Sequence, residues 1–166
     1  MTIKDAFIGE LKHESSMTKK MLERVPLDKR EWKPHEKSMT LGRLATHVAE
    51  NTQWVSDIIH IDDFDFMTNY NFNPPNAGST EELLEIFQTK LDKAIADLST
   101  MTDEDLTKQW TVRRGEQVMF VTPKNISIRN WAMNHMIHHR GQLSVYLRLL
   151  DVPVPGMYGP SADERM

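Results

Sequence analysis

Four long stretches of this chain carry apolar residues at three- and four-residue steps, a periodicity that restricts the fold to packed helices. The first spans residues 2–24, with Ile3, Phe7, Leu11, Thr18 and Met21 or Leu22 on one face and Pro26 beyond its end. Thr40 is placed to cap a second helix, residues 40–61, striped by Leu41, Leu44, Val48, Trp54, Val55 and Ile58. Ser79 followed by Glu82 is a capping-box pattern that opens a third, residues 80–99, buried through Leu84, Phe87, Leu91, Ala94, Ile95 and Leu98. Thr122-Pro123 predicts the start of a fourth, residues 123–150, which Pro153 and Pro155 stop.

The connectors are long for helical hairpins. Asn73-Pro74-Pro75-Asn76 and Gly78 punctuate the segment before the third helix, and residues 101–106 add a short helical turn after it. Between Lys108 and Val121, Trp110, Val112, Val118, Phe120 and Val121 flank Arg114-Gly115-Glu116, which predicts a small hairpin. The expectation is an all-α four-helix bundle with long connectors, one domain over residues 1–166, and a proline-rich tail, 151–166, against its outside. A hydrophobic content of 39% in 166 residues is enough for one core.

Charge and composition exclude several functions. The net charge of −4 and pI near 6.0 give no general attraction to nucleic acid or anionic lipid, so neither a nucleic-acid partner nor a membrane is expected. Lys4, Asp5, Glu10 and Lys12 interrupt the first segment, so no export signal is read there and a cytoplasmic location is the expectation. Walker A, GxGxxG, GxSxG and HExxH patterns are absent, as is any cysteine.

Against the missing cysteine stand seven histidines. The buried face of the fourth helix runs through Ile128, Trp131 or Ala132, His135, His139, Gln142 or Leu143, Tyr146 and Leu149, placing two imidazoles four residues apart in the apolar stripe. Side chains at that spacing converge, and both can reach one ion at about 2.0–2.1 Å. Taken alone, HxxxH is explained more readily by two neutral core histidines; a third candidate, His47, shifts the balance towards a metal. Leu44, His47, Asn51 and Trp54 step along one face of the second helix, beside the stripe that faces the bundle interior. Three histidines leave coordination positions for water or substrate, as catalytic sites do. Gln142 and Asn51 are candidates to orient an imidazole or a bound molecule, and Trp54 and Trp131 candidates to line a pocket. Gly141, inside a helix, suggests close approach of another segment. His13, His35, His60 and His138 read as surface or edge residues, and the connectors 62–79 and 107–122 as places for substrate determinants.

Trp32-Lys33-Pro34-His35 with Ser38-Met39-Thr40-Leu41-Gly42 and Leu44-Ala45-Thr46-His47 resembles the segment that opens the second helix of the DinB/YfiT-like proteins. Asn134-His135-Met136-Ile137-His138-His139-Arg140-Gly141-Gln142-Leu143 resembles that family's most recognisable segment, and Pro153 to Glu164 resembles the tail of its DinB branch. The resemblance implies an up-down-down-up bundle, often homodimeric, with a divalent metal, nickel or zinc, on His47, His135 and His139. It implies transfer of an external low-molecular-weight thiol to an electrophilic small-molecule substrate, or a related reaction. Hydrolysis by metal-bound water is the alternative, and a non-enzymatic metal-binding protein of the DNA-damage or stress response is another. The family name implies no action on DNA.

Overall fold

In the computed structural model, the Thr2 hydroxyl oxygen accepts a hydrogen bond from the Asp5 N–H, and the Asp5 carboxylate accepts one from the Thr2 N–H, closing a capping box at the start of α1 (Ile3–Leu22). The structure describes residues 2–164; Met1 and the last tail positions, Arg165 and Met166, lie outside the described residues. Phe7, Leu11, Met17, Met21 and Leu22 of α1 are buried, which is the face its periodicity predicts. A 3₁₀ turn, Leu27–Lys29, leads through an irregular stretch to Thr40, whose hydroxyl accepts from the Arg43 N–H and caps α2 (Leu41–Glu50).

The second helix is not continuous. It passes through Asn51 and Thr52 into α3 (Gln53–His60), with the Trp54 and Val55 N–H groups bonding three residues back, to the carbonyls of Asn51 and Thr52. Beyond it, β1 (Asp63–Asp65) and a single turn, α4 (Phe66–Asn69), occupy part of the expected loop. Ser79 caps α5 (Thr80–Thr100), although the Glu82 carboxylate reaches the Gly78 N–H rather than that of Ser79. Leu83, and not Leu84, is fully buried on α5; Leu84 and Ile95 pack at the margin of the core. The turn expected at 101–106 is α6 (Asp103–Thr107).

The hairpin expected between Lys108 and Val121 is present as β2 (Gln109–Arg114) and β3 (Gln117–Pro123), antiparallel about Gly115, whose φ of 59° suits a residue without a side chain. β1 adds to β2 in parallel, so the excursion is a three-stranded sheet in the order β1-β2-β3. This third strand departs from the sequence expectation, and its cause is tertiary. The Trp110 indole N–H donates to the Ile61 carbonyl at 2.8 Å. Lys124, also buried, donates to the Ile59 carbonyl at 2.8 Å and pairs with Asp62 at 2.6 Å, clamping the end of α3 to the sheet.

Because β3 runs through Pro123, the fourth helix starts one residue later than expected, as α7 (Lys124–Ser127). Seven residues of π-helix follow, Ile128–Asn134, and then α8 (His135–Leu149). A left-handed Asp151, φ 57°, ends α8: its N–H bonds to the Arg148 carbonyl and that of Val152 to the Leu147 carbonyl. The helix therefore stops before Pro153, and Leu149, expected on its buried face, is exposed. α5 packs against α1, α2 and α3, while α8 packs against α2 and α1, forming the four-helix bundle with the small sheet at its side. Among the described residues, no helix is long and apolar enough to cross a membrane.

Arg140 ties the last helix to the first. Its buried guanidinium donates to the Glu14 carboxylate at 2.6 Å, the Glu14 carbonyl at 2.9 Å, Thr18 Oγ1 at 3.1 Å and the Tyr158 hydroxyl at 2.7 Å. The described part of the tail thus lies on the bundle, held also by Asp163 against Arg148 at 2.5 Å.

Candidate metal centre

Three imidazoles meet in the bundle. His47 sits in the last turn of α2, while His135 and His139 occupy the first turns of α8. Their ring centroids are 5.1 Å (His47 and His135), 4.5 Å (His47 and His139) and 4.6 Å (His135 and His139) apart. One nitrogen of each lies within 4.8 Å of the other two, and the Nε2 atoms of His47 and His135 are 3.3 Å apart. Two nitrogens about 2.05 Å from a tetrahedral ion lie about 3.3 Å from each other, so this pair matches the edge of such a site.

The opposite ring nitrogens are occupied. His139 Nδ1 donates to Gln142 Oε1 at 2.7 Å, and His135 Nδ1 donates to the Trp131 carbonyl at 3.3 Å. At the end of the π-helical segment the His135 backbone N–H bonds to the Ala132 carbonyl. His47 Nδ1 lies 3.4 Å from Glu50 Oε1 and 3.3 Å from Arg43 Nη2, and Arg43 donates to Glu50 at 2.5 Å. A metal on Nε2 selects the tautomer in which Nδ1–H donates to Glu50. Arg43 and Glu50 were not among the residues the sequence singled out. The signal for Glu50 was its place three residues after His47 on the same helix.

The electrostatics suit a cation. Burial, reinforced by the neighbouring imidazoles, pulls His135 and His139 down to about 4, so both are neutral at pH 7 and carry a free lone pair. Burial pushes the Glu50 carboxyl up, but hydrogen bonds from His47 and Arg43 outweigh it and hold the group below its ordinary range. The neutral imidazoles of His135 and His139, facing the His47 ring with an ionised carboxylate behind it, form a donor set that a divalent ion fits.

The site adjoins two openings. A cavity of about 290 Å³ lies beside His47, lined also by Glu50, Asn51, Trp54, Asp57 and Tyr70. A more open groove of about 350 Å³ lies beside His135, lined by Trp131, Asn134 and His138. Trp54 and Trp131, 5.4 Å apart, thus border different openings and join an aromatic cluster with Phe64, Phe66, Tyr70, Trp110 and Phe120. Of the two connectors expected to carry substrate determinants, 62–79 contributes Asn69, Tyr70, Asn71 and Pro74 to the cavity. The other places Trp110 and Phe120 behind Trp131.

His13, His35, His60 and His138 are exposed, with His60 3.1 Å from Asp97 and the His138 ring 4.9 Å from that of His139. The expectation for Gly141 is overturned: it faces outward with nothing within 4 Å of where a Cβ would stand. Among the helical glycines, Gly42 is the one in close contact, with Arg30 Cβ 2.9 Å and the Arg30 carbonyl 3.2 Å from that point.

A sequence model of the DinB family matches residues 2–165. The chain belongs to the DinB family. YrdA of Bacillus subtilis (strain 168) is 25% identical to this DinB-family chain over 163 residues, covering 96% of it and 90% of YrdA. YjoA of the same organism is 26% identical over 135 residues, 80% of this chain and 81% of YjoA. Among solved structures, a DinB-like protein from Bacillus cereus ATCC 10987 superposes with TM-score 0.71 at 24% identity, over 93% of this chain and 97% of its own. The B. subtilis YjoA structure gives 0.65 at 21% identity, over 96% and 98%. At these identities the structures establish a shared DinB fold.

Proposed function

We propose that this DinB-family chain is a metal-dependent enzyme that presents a small thiol to an electrophilic substrate. The observation that carries the proposal is the convergence of His47, His135 and His139, each with its other ring nitrogen engaged, beside a cavity large enough for a small molecule. The three histidines would hold a divalent ion, nickel or zinc, and such an ion supplies Lewis acidity that favours the thiolate over the thiol.

The chain's own residues have separable tasks. Glu50, the Trp131 carbonyl and Gln142 keep the three Nδ1 protons in place, so the ligand nitrogens stay unprotonated and correctly aimed. Trp54 and Tyr70 wall the cavity beside His47, excluding water where the electrophile would lie. In the transfer, the thiol proton leaves to solvent, sulfur forms a bond to the electrophilic carbon, and the leaving group departs with the bonding pair. With no cysteine in the chain, the thiol comes from outside.

The test is turnover of a chromogenic electrophile by zinc- and nickel-loaded protein with a panel of low-molecular-weight thiols. Thiol-dependent product is the expected result. Hydrolysis without added thiol would replace this reading with the metal-dependent hydrolase, and no turnover with any substrate would favour a metal-binding protein without catalysis. A homodimer belongs to the same proposal, and light scattering after size exclusion tests it.

A further inference from the structure

The cavity beside the histidine cluster is long. His47 and Asp57 line it from positions ten residues apart on α2 and α3, about 15 Å along the helix axes. Lys90 of α5 joins Asp57 at the far end, where its charge acts on that carboxylate. Asn69, Tyr70 and Asn71 also wall the cavity, with Tyr70 stacked on Trp54 at 5.8 Å and 17°. The polar groups left open here are hydrogen-bond donors. Lys90 is half-buried, and among the described residues its Nζ has neither a hydrogen bond nor an ion pair within 4.0 Å. That nitrogen is not shut off from solvent, unlike the unpartnered polar atoms of Asn51. Asn69 Oδ1 accepts from the Asp65 N–H at 2.8 Å and Asn71 Oδ1 from the Asn73 N–H at 3.0 Å, so the Nδ2 groups of both amides are left to donate. The acceptors are largely taken: Glu50 Oε1 by Arg43 and His47, and Asp57 Oδ1 by Gln53 at 2.8 Å.

We infer that the electrophilic substrate is a carboxylic acid, its carboxylate held at the Lys90 end of the cavity and its reacting carbon towards the histidines. An ionised carboxylate only accepts hydrogen bonds, so it uses the donors that the walls leave free. The summed charge favours it as well. Imidazoles that bind a metal are neutral, so they offset none of the ion's charge. Arg43 offsets Glu50 and Lys90 offsets Asp57, which leaves the two positive charges of the ion to attract an anion into the loaded cavity. Asp57 by itself would favour a cation, which makes an amine the discriminating competitor. The inference rests on the proposed reaction for the direction in which the substrate lies; the carboxylate subsite itself needs no metal.

The test titrates the full chain, metal-free and zinc-loaded, with 4-phenylbutyrate, 4-phenylbutyramide and 4-phenylbutylamine in a calorimeter; the three differ only in the head group. The wild type is expected to bind the acid at least about fivefold more tightly than the amide, and the preference should shrink between about 0.05 and 0.5 M salt. Lys90→Gln should bring acid and amide to within about twofold, while Lys90→Arg keeps the charge and most of the preference. Zinc is the same in all three proteins, so the change between them isolates the side chain from any binding of the acid to the ion. A wild type that binds the amine most tightly, or the acid in neither form, would overturn the inference, as would an acid preference unchanged in Lys90→Gln. The reaction is judged separately, with a thiol and the loaded chain. There, kcat/KM for 4-chloro-3-nitrobenzoate relative to 4-chloro-3-nitrobenzamide should fall at least about threefold in Lys90→Gln, sulfur bonding to the ring carbon as chloride leaves. Acid binding without thiol-dependent turnover would leave the subsite standing and overturn the thiol reaction. Turnover with the same ratio in both proteins would do the reverse.

Discussion

Arg140 follows His139 in the chain, and removing its partner tests how the last helix is held. The guanidinium is 2% exposed and the Glu14 side chain 7%, and the pair is linked by a 2.6 Å bond. Glu14→Leu leaves Arg140 with a backbone carbonyl, a threonine hydroxyl and the Tyr158 hydroxyl, none of them charged. An uncompensated buried charge costs about 3–5 kcal/mol, whereas replacing both members of a buried pair with apolar residues is often neutral. Glu14→Leu should therefore lose about 3–5 kcal/mol in urea unfolding at pH 7, and Glu14→Leu/Arg140→Met should recover most of it. Tyr158→Phe removes one hydroxyl from a largely exposed ring and should cost about 1 kcal/mol or less. Urea midpoints with a constant slope on denaturant are the assay. A single variant within about 1 kcal/mol of wild type would refute the argument. So would a double variant as unstable as the single.

Other outcomes follow from the same structure. Gly141→Ala should stabilise the chain by about 1 kcal/mol, because the helix gains a better former in open space, while Gly42→Ala should destabilise it through its contacts with Arg30; melting temperatures separate the two. Gln142→Leu and Glu50→Gln should each weaken zinc binding about 10–100-fold by competition with a chromogenic chelator, the second because Arg43 is then free to donate to His47 Nδ1 and move the proton to Nε2. His135 and His139 sit near 4 in the folded chain and near 6.5 when unfolded, so below about 6.5 the unfolded state takes up more protons. Metal-free protein should therefore lose stability as pH falls from about 6.5 towards 4, and a His135→Gln/His139→Gln variant should lose much of that slope in urea midpoints.

What the sequence made legible was decided by local pattern. The helical stripes announce α1, α5 and the helices around His47 and His139, since 3.6-residue periodicity records which side faces the core. The hairpin was legible because β-branched and aromatic residues flank Arg114-Gly115-Glu116. The parallel strand β1 was not, because it depends on Trp110 and Lys124 reaching carbonyls of residues distant in the chain. Nor was the π-helical stretch before His135, which shares its apolar spacing with an ordinary helix. At the candidate site, histidines at positions 135 and 139 announce themselves by spacing, and His47 by its place beside an apolar stripe. Glu50 and Arg43 are not singled out by local pattern; the fold brings them to the His47 ring. Gly141 misled because a helical glycine signals either close approach or nothing, and only packing distinguishes Gly42 from Gly141.

We propose that His47, His135 and His139 together hold one divalent ion. The most direct measurement is metal content by native mass spectrometry and elemental analysis of untagged protein, as isolated and after exposure to zinc or nickel. One ion per chain, lost in His139→Ala, is expected. A wild-type chain that stays metal-free in both metals would contradict it, as would a His139→Ala variant that binds the ion as tightly as wild type.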